Sequence, residues 1–492
     1  MINLIEKAKN HKERVAIKSN DQSYTYDSLL KSSRKIANQL LRGRADLDEE
    51  RIAFLVAPSY DYVRLQWGIW RAGGIAVPLC TKHPLPSIQY VLDDTQAETV
   101  IYSEEYESLL SPLFDNAKHQ FLRLKAFTDQ SGVLPDVDLS RRAMILYTSG
   151  TTGNPKGVVS THQNIECQIT SLTSSWEWEQ NDHILNVLPM HHVHGIVNVT
   201  LCALWSGACC EFLSKFDSQA VFNVFTKGDV NLFMAVPTIY FKLIAHWNDL
   251  PQEEQIAVSE ALKHFRLMVS GSAALPVSVL ETWRSISGQT LLERYGMTEM
   301  GMAISNSYRG TRNPGFIGLP LANVTIRIAN ENDVIVDEGI SGEIQVKGPN
   351  IFKEYWQKPE ATKNTFTVDG WFKTGDIAVF ENGNYRILGR NSVDIIKSGG
   401  YKISALEIEE VLRKHPKVKE CGVVGIPDDE WGEIIGASLI LEDGNSIDLD
   451  KLKDWLKERL PQYQLPRKYI YQDDLPRNVM GKVTKNELKK LF

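Results

Sequence analysis

Eleven consecutive residues combine hydroxyls, glycines and one lysine: Tyr147-Thr148-Ser149-Gly150-Thr151-Thr152-Gly153-Asn154-Pro155-Lys156-Gly157. Glycines let backbone N–H groups approach an anion closely, and Ser/Thr hydroxyls with a lysine add further donors. The stretch is therefore suited to holding phosphate. It is not a Walker A loop, because the G-x-x-x-x-G-K-[ST] spacing is not met. Taken alone it reads equally well as a polar surface loop. A second cluster, Leu188-Pro189-Met190-His191-His192-Val193-His194-Gly195, holds three histidines. Composition permits zinc, but no cysteine or further carboxylate stands at ligand spacing, and satisfied structural histidines are the plainer reading. Thr374-Gly375-Asp376 alone is an ordinary turn, and Lys482 alone is an ordinary solvated lysine.

The elements around these residues alternate. Apolar strand-like runs at Ile52–Val56, Met144–Tyr147, Leu232–Val236 and Leu267–Val269 are separated by amphipathic helical stretches, which predicts an α/β architecture with mostly buried strands. Around Val324–Ile328, Glu343–Lys347 and Tyr385–Leu388 the strands become short and Gly-punctuated with alternating faces, the pattern of a small antiparallel barrel-like part. After Gly389-Arg390 a new unit begins, with strands at Asp394–Ile396, Glu420–Ile426 and Ala437–Leu441. Its helices are expected at Ser404–Arg413, Leu449–Arg459 and Lys485–Phe492. Ser404 stands three residues before Glu407 ahead of an apolar-periodic run, the spacing of a capping box. The expected division is a large domain over residues 1–390 and a small α+β domain over 391–492.

At 492 residues the chain is too long for one ordinary core, and 43% hydrophobic with 23% charged residues is the balance of a soluble globular protein. A net charge of −7 offers no general basic field to nucleic acid or an anionic membrane, so anionic ligands need local cations. The six cysteines (Cys80, Cys167, Cys202, Cys209, Cys210, Cys421) form no C-x-x-C pair and read as free thiols of a reducing compartment. No run of about 18 apolar residues is present, and the N-terminus goes straight into a mixed-charge helical pattern. The expected location is the cytosol.

The phosphate-like loop resembles that of the adenylate-forming superfamily of acyl-CoA synthetases, luciferases and peptide-synthetase adenylation domains. The resemblance runs along the whole chain. It includes Ser270-Gly271-Ser272-Ala273, Tyr295-Gly296-Met297-Thr298-Glu299, Thr374-Gly375-Asp376 and Gly389-Arg390. Ser398-Gly399-Gly400-Tyr401 and Pro476-Arg477-Asn478-Val479-Met480-Gly481-Lys482 complete the series, in matching order. The resemblance implies that Thr148, Ser149, Gly150, Thr151, Thr152 and Lys156 bind the phosphates of ATP. Thr298 and Glu299 would sit beside them, with Glu299 a ligand of Mg²⁺, a cation usually held by one or two carboxylates plus phosphate oxygens. Ser272, Ala273 and Ala274 would lie against the adenine, and Glu293, Arg294, Tyr295, Gly296 and Met297 along the nucleotide. Asp376 would bind the ribose hydroxyls, assisted by Arg390. Lys482 would bridge the acyl carboxylate and the α-phosphate, where a fixed ammonium stabilises developing negative charge. The small domain would then rotate, withdrawing Lys482 and bringing Ser398, Gly399, Gly400, Tyr401 and Lys402 to CoA. Many relatives carry a hinge Asp or Lys where this chain has Ser392, and the segment is one residue longer than in several branches. Asp394 is the other hinge candidate.

Within the superfamily the likeness runs toward the malonyl-CoA synthetases, particularly through residues 234–242, 266–276, 292–302, 371–376 and 392–397. Malonate requires that one carboxylate be adenylated while the other stays ionised in the acyl pocket. An unpaired buried carboxylate costs several kcal/mol, so a cation or several donors must meet it. Lys242, one turn into the helix opened by Pro237-Thr238, is one expected partner, although Thr238, Lys242 and His246 also fit a stripe facing water. Arg312 and Ser305 are weaker candidates, and His192 and His194 are expected near the acyl group. Methylmalonate fits the same requirement. The competing readings are a fatty- or aryl-acid CoA ligase with an apolar pocket, an adenylating enzyme that loads a carrier protein, and a silent binding protein of the same fold. The expected partners are a small acid, ATP and CoA, on a monomer or homodimer.

Overall fold

The computed structural model describes residues 2–124, 132–148, 155–442, 446–478 and 481–492. Strand Arg51–Leu55 is an inner strand of a seven-stranded sheet, lying parallel between Ile75–Pro78 and Thr99–Tyr102. Arg142–Thr148 runs parallel beside Ile75–Pro78, then the chain returns antiparallel as Lys156–Thr161. Glu354–Tyr355 closes that edge. A nine-stranded sheet runs parallel through Val15–Ser19, Cys209–Phe212, His183–Asn186, Leu232–Ala235, Leu267–Ser270 and Leu292–Met297. It continues antiparallel through Gly301–Ser305 to Leu319–Pro320 at one edge and ends in antiparallel Gln22–Thr25 at the other.

One apolar core joins the two sheets. Ile52, Phe54 and Met144 of the first belong to the same cluster as Ile184, Phe233 and Val269 of the second, bridged by helices Tyr26–Leu41, Tyr60–Arg71 and His162–Ser175. Trp67, Trp70, Trp176 and Trp283 are fully buried in it. The buried indole of Trp70 donates to the Ala143 carbonyl at 2.7 Å, so a large apolar ring is enclosed without an orphaned donor. Helix His162–Ser175 starts at a reciprocal cap between Thr161 and Asn164, of a kind worth about 1 kcal/mol. Its Gln168 donates to the Met302 carbonyl, tying the helix to the strand beside the Thr298-Glu299 turn.

The expected antiparallel part is a four-stranded sheet of Thr325–Ala329, Gly342–Lys347, Phe372–Glu381 and Asn384–Arg390. Beyond Arg390 a separate sheet holds Ile395–Ser398, Tyr401–Ser404, Val418–Asp428, Gly432–Leu441 and Lys468–Tyr471. Among the described residues the apolar clusters divide at Arg390: one ends with Ile387, and the next begins at Ile396. What crosses the boundary is polar, including Arg386–Glu407, Lys402–Glu331 and the Val277 N–H to Glu410. The box expected at Ser404 is half formed. Its hydroxyl accepts from the Glu407 N–H at 3.3 Å, but the Glu407 carboxylate is drawn to Arg386 instead of returning to the cap. A charge-assisted bond outbids the neutral one.

Candidate active site

The site begins at the edge of the seven-stranded sheet. Thr148 and Lys156 face each other across the hairpin at its tip. Ser149, Gly150, Thr151 and Thr152 lie outside the described residues. The Lys156 ammonium sits 4.9 Å from the centroid of the Tyr355 ring, and the Tyr355 hydroxyl donates to Glu299 Oε1 at 2.9 Å. Glu299 is 6% exposed, in the turn that follows strand Leu292–Met297 and includes Thr298. Burial raises its carboxyl pKa, while the Tyr355 bond and Arg390 act in the opposite sense. A buried carboxylate joined through Tyr355 to a lysine fits a hard cation shared with an anion.

Asp376 and Arg390 are register partners across an antiparallel pair, which is why residues separated by a hairpin meet. Arg390 Nη1 lies 3.4 Å from Asp376 Oδ1, and the Tyr295 hydroxyl donates to Asp376 Oδ2 at 2.7 Å. Burial raises the Asp376 pKa and Arg390 opposes it. Ala273 and Ala274 are exposed, leaving an open small-residue surface after strand Leu267–Ser270. Gly296 and Met297 end the strand that carries Tyr295. Glu293 turns elsewhere: its Oε1 accepts from the Gly315 N–H at 3.0 Å, and burial pushes its pKa up to about 8.

Arg294 is the exceptional group. It is 3% exposed, and its Nη2 donates to the Ser272 hydroxyl at 3.3 Å. Among the described residues its Nε and Nη1 are buried without a hydrogen-bond partner. Gly271 makes room for it, because a Cβ there would stand 2.5 Å from the Arg294 guanidinium carbon. Burial brings the Arg294 pKa down to about 9. The Ser272 hydroxyl also lies 3.3 Å from Nδ1 of the buried His194. If Ser272 accepts from Arg294 and donates to Nδ1, the proton of neutral His194 lies on Nε2. Among the described residues that atom, like Nε2 of His191 and His192, is buried without a partner. Burial lowers the pKa of His192 to about 3 and that of His194 far below its usual range, so both rings are neutral at physiological pH. Several buried donors without partners in one place mark a polar ligand's position.

Lys482 reaches the same place from the C-terminal domain. Its side chain is open to solvent along the junction, yet the protein crowding it lowers its ammonium pKa. Arg294 and Arg390 push the same way and Asp376 opposes them. The neighbouring Gly481 packs against Thr238, with the hydroxyl 3.1 Å from where a Cβ would stand. The hinge candidates flank the junction: Ser392 is exposed, and Asp394 Oδ2 accepts from the Arg390 N–H at 3.0 Å. Asp394 also lies 3.4 Å from Lys485 Nζ. Gly399 and Gly400 form the two-residue turn between paired Ser398 and Tyr401, both with positive φ, as a type I′ turn requires. Tyr401 is exposed and stacked on Tyr463 at 4.5 Å, and Lys402 pairs with Glu331.

The three other acyl-pocket candidates are placed as follows. Lys242 is exposed on its helix with its ammonium 5.9 Å from the Phe216 ring, because Ile239, Tyr240 and Leu243 take the buried face. The Arg312 guanidinium is occupied by the carbonyls of Thr290, Ser307 and Tyr308. The Ser305 hydroxyl accepts from the Trp176 indole and donates to the Asn306 carbonyl. Two cations act on Lys482, Arg294 and Arg390, and both were expected along the nucleotide. Tyr355 escaped the sequence reading altogether, since it lies 56 residues from Glu299 and no local pattern links them. A separate cavity of about 990 Å³ near Arg51 and His119 has no part in this site, and its Arg44 and Arg51 are already bonded to Glu50 and to the Thr95 and Gln96 carbonyls.

Residues 4–356 match the family described as AMP-binding enzyme, and residues 407–482 match the AMP-binding enzyme C-terminal domain. The mitochondrial malonate–CoA ligase of Homo sapiens is 43% identical over 98% of this chain and 90% of its own length. ATP-bound MatB from Rhodopseudomonas palustris superposes with a TM-score of 0.92 at 31% identity, over 100% of this chain and 98% of that one. O-succinylbenzoate coenzyme A synthetase from Bacillus subtilis, in complex with ATP and magnesium ion, gives 0.85 at 28% identity, over 99% and 98%.

Proposed function

The chain belongs to the AMP-binding enzyme family, and we propose that within it the protein is a malonate–CoA ligase. In the first step a malonate carboxylate oxygen attacks the α-phosphorus of ATP and pyrophosphate leaves. In the second the CoA thiolate attacks the acyl carbon of the adenylate and AMP leaves. The human relative's name supports the acid, and the bacterial ATP complex supports the nucleotide.

The observation that carries the substrate reading is the buried Arg294, which keeps two donors unpartnered among the described residues and whose charge acts on Lys482. Malonate's carboxylates are one methylene apart, so its two ends need two cations side by side. Lys482 faces the carboxylate that attacks; Arg294 Nε and Nη1, with His194 Nε2–H, meet the one that stays ionised. A guanidinium offers a fork that matches a carboxylate. Methylmalonate keeps both ends and fits the same donors. A simple fatty or aryl acid leaves Arg294 desolvated and unpaired.

Around the nucleotide, Lys156 and Thr148 flank the phosphates, Asp376 with Arg390 receives the ribose hydroxyls, and Ala273 and Ala274 leave space for a flat base. Glu299 is the residue that would hold Mg²⁺, which supplies charge neutralisation at the phosphates. The polar boundary at Arg390 suits a lid that exchanges Lys482 for the Ser398–Lys402 turn. No described helix is long and apolar enough to cross a membrane, and the proposed substrates are all water-soluble.

The test is pyrophosphate release with ATP, Mg²⁺ and CoA, across malonate, methylmalonate, acetate, octanoate and coumarate, with Lys482→Ala as the blank. Malonate or methylmalonate should lead acids lacking the second carboxylate by as much as ~10⁴-fold in kcat/KM. Octanoate or coumarate as the best substrate would leave the ligase chemistry standing and remove malonate.

A further inference from the structure

Two opposite charges face each other across Tyr355 without pairing. The Lys156 ammonium rests on one face of its ring at 4.9 Å, and its hydroxyl holds Glu299 Oε1 at 2.9 Å. Among the described residues no ion pair joins Lys156 to Glu299. The ring itself is 7% exposed, packed on Phe352, and its backbone is the register partner of Val158 on the strand that begins with Lys156. The Phe352 N–H in turn donates to the Glu299 carbonyl at 2.7 Å. The short segment 352–355 thus reaches both the lysine's strand and the carboxylate's turn.

We propose that Tyr355 is a positioning residue for the nucleotide site: it holds the Glu299 carboxylate toward the metal and holds the Lys156 ammonium toward phosphate, keeping the two from neutralising each other. A lysine on a flexible stem beside a buried carboxylate would otherwise close on it, since a buried charge seeks its opposite. Such a pair would occupy the carboxylate that the metal needs and the ammonium that the phosphates need. The aromatic ring attracts the ammonium through its face while giving it no acceptor oxygen. The hydroxyl satisfies one carboxylate oxygen with a neutral donor. The proposal rests on the assignment of Lys156 to phosphate and Glu299 to Mg²⁺, and is independent of which acid is used.

The two roles separate experimentally. ATP binding is measured by titration calorimetry on the full chain, once in a chelator and once with Mg²⁺ in excess, for the wild type, Tyr355→Phe and Tyr355→Leu. Melting curves establish that each variant is folded. Tyr355→Phe keeps the ring and loses the hydroxyl. It should bind ATP in chelator within about twofold of wild type, while the gain in affinity on adding Mg²⁺ falls about tenfold, the size of one lost bond to a charged group. Tyr355→Leu loses both, so affinity should fall in chelator as well. An unchanged Mg²⁺ gain in Tyr355→Phe overturns the positioning of Glu299. Unchanged ATP affinity in chelator for Tyr355→Leu overturns that of Lys156. Absence of any Mg²⁺ gain in the wild type would instead remove the metal assignment of Glu299 on which the proposal stands.

Discussion

Replacing Arg294 by methionine should make the protein more stable and nearly useless toward malonate. Methionine keeps an unbranched stem in the space beside Gly271 and removes the charge. Burial brings the guanidinium pKa from 12.5 to about 9. At ~1.4 kcal/mol per pKa unit, this is roughly 5 kcal/mol of solvation lost by the charged form. With 3% of the residue exposed, solvent screens little of it. Exchange of a buried charge for an apolar side chain commonly returns about 1–4 kcal/mol, so the free variant should melt higher by an amount within that range. The substrate complex behaves in the opposite sense. Malonate's distal carboxylate loses its cation, a break worth about 3–5 kcal/mol, which corresponds to roughly 200- to 5,000-fold in kcat/KM. The assay is pyrophosphate release with malonate and with butyrate, beside melting curves without ligand. Butyrate, lacking the distal charge, should lose nothing or gain. Lys242→Ala, which alters an exposed side chain, is the control and should stay within about twofold on malonate. A variant that melts lower while losing malonate and butyrate alike would mean that Arg294 is structural. Malonate activity within about threefold of wild type would refute the carboxylate assignment outright.

Lys482→Ala should lower pyrophosphate release by about 10²–10³-fold, the scale of one removed charge-stabilising group. Thiolysis of supplied malonyl-adenylate, read as AMP release on adding CoA, should stay near wild type; a parallel loss in both steps would count against a role confined to adenylation. Glu293→Gln tests the buried carboxyl whose pKa is pushed up to about 8, against 4.5 for the ordinary group. A carboxyl with a higher pKa folded than unfolded binds more protons folded, so its contribution to stability is greatest below about pH 4.5 and is lost as pH rises through about 8. The wild type should therefore lose melting temperature between these values more steeply than Glu293→Gln, whose amide oxygen can still accept from Gly315. Identical slopes would show that Glu293 ionises without cost.

Much of this protein is legible along the chain because it is local. Strand periodicity located Arg142–Thr148, Leu232–Ala235 and Leu267–Ser270 to within two residues, since alternation and apolar runs are short-range consequences of burial. The Gly399-Gly400 turn is likewise a local demand, because two positive φ values in succession suit glycine. The ordered motifs from Tyr147 to Lys482 point to the family, and with it to ATP chemistry, before any contact is known. Helix phase is less secure. Which side of Pro237–Asp249 faces inward depends on Ile239, Tyr240 and Leu243 packing against other elements, and Lys242 lies on the exposed side. Only the tertiary structure decides that two donors of Arg294 lack partners among the described residues, that Ser272 links it to His194, and that Tyr355 touches both Lys156 and Glu299. Those facts join residues far apart in the chain. Whether a charge is paired or orphaned depends on everything folded around it, and no window of sequence contains that surrounding.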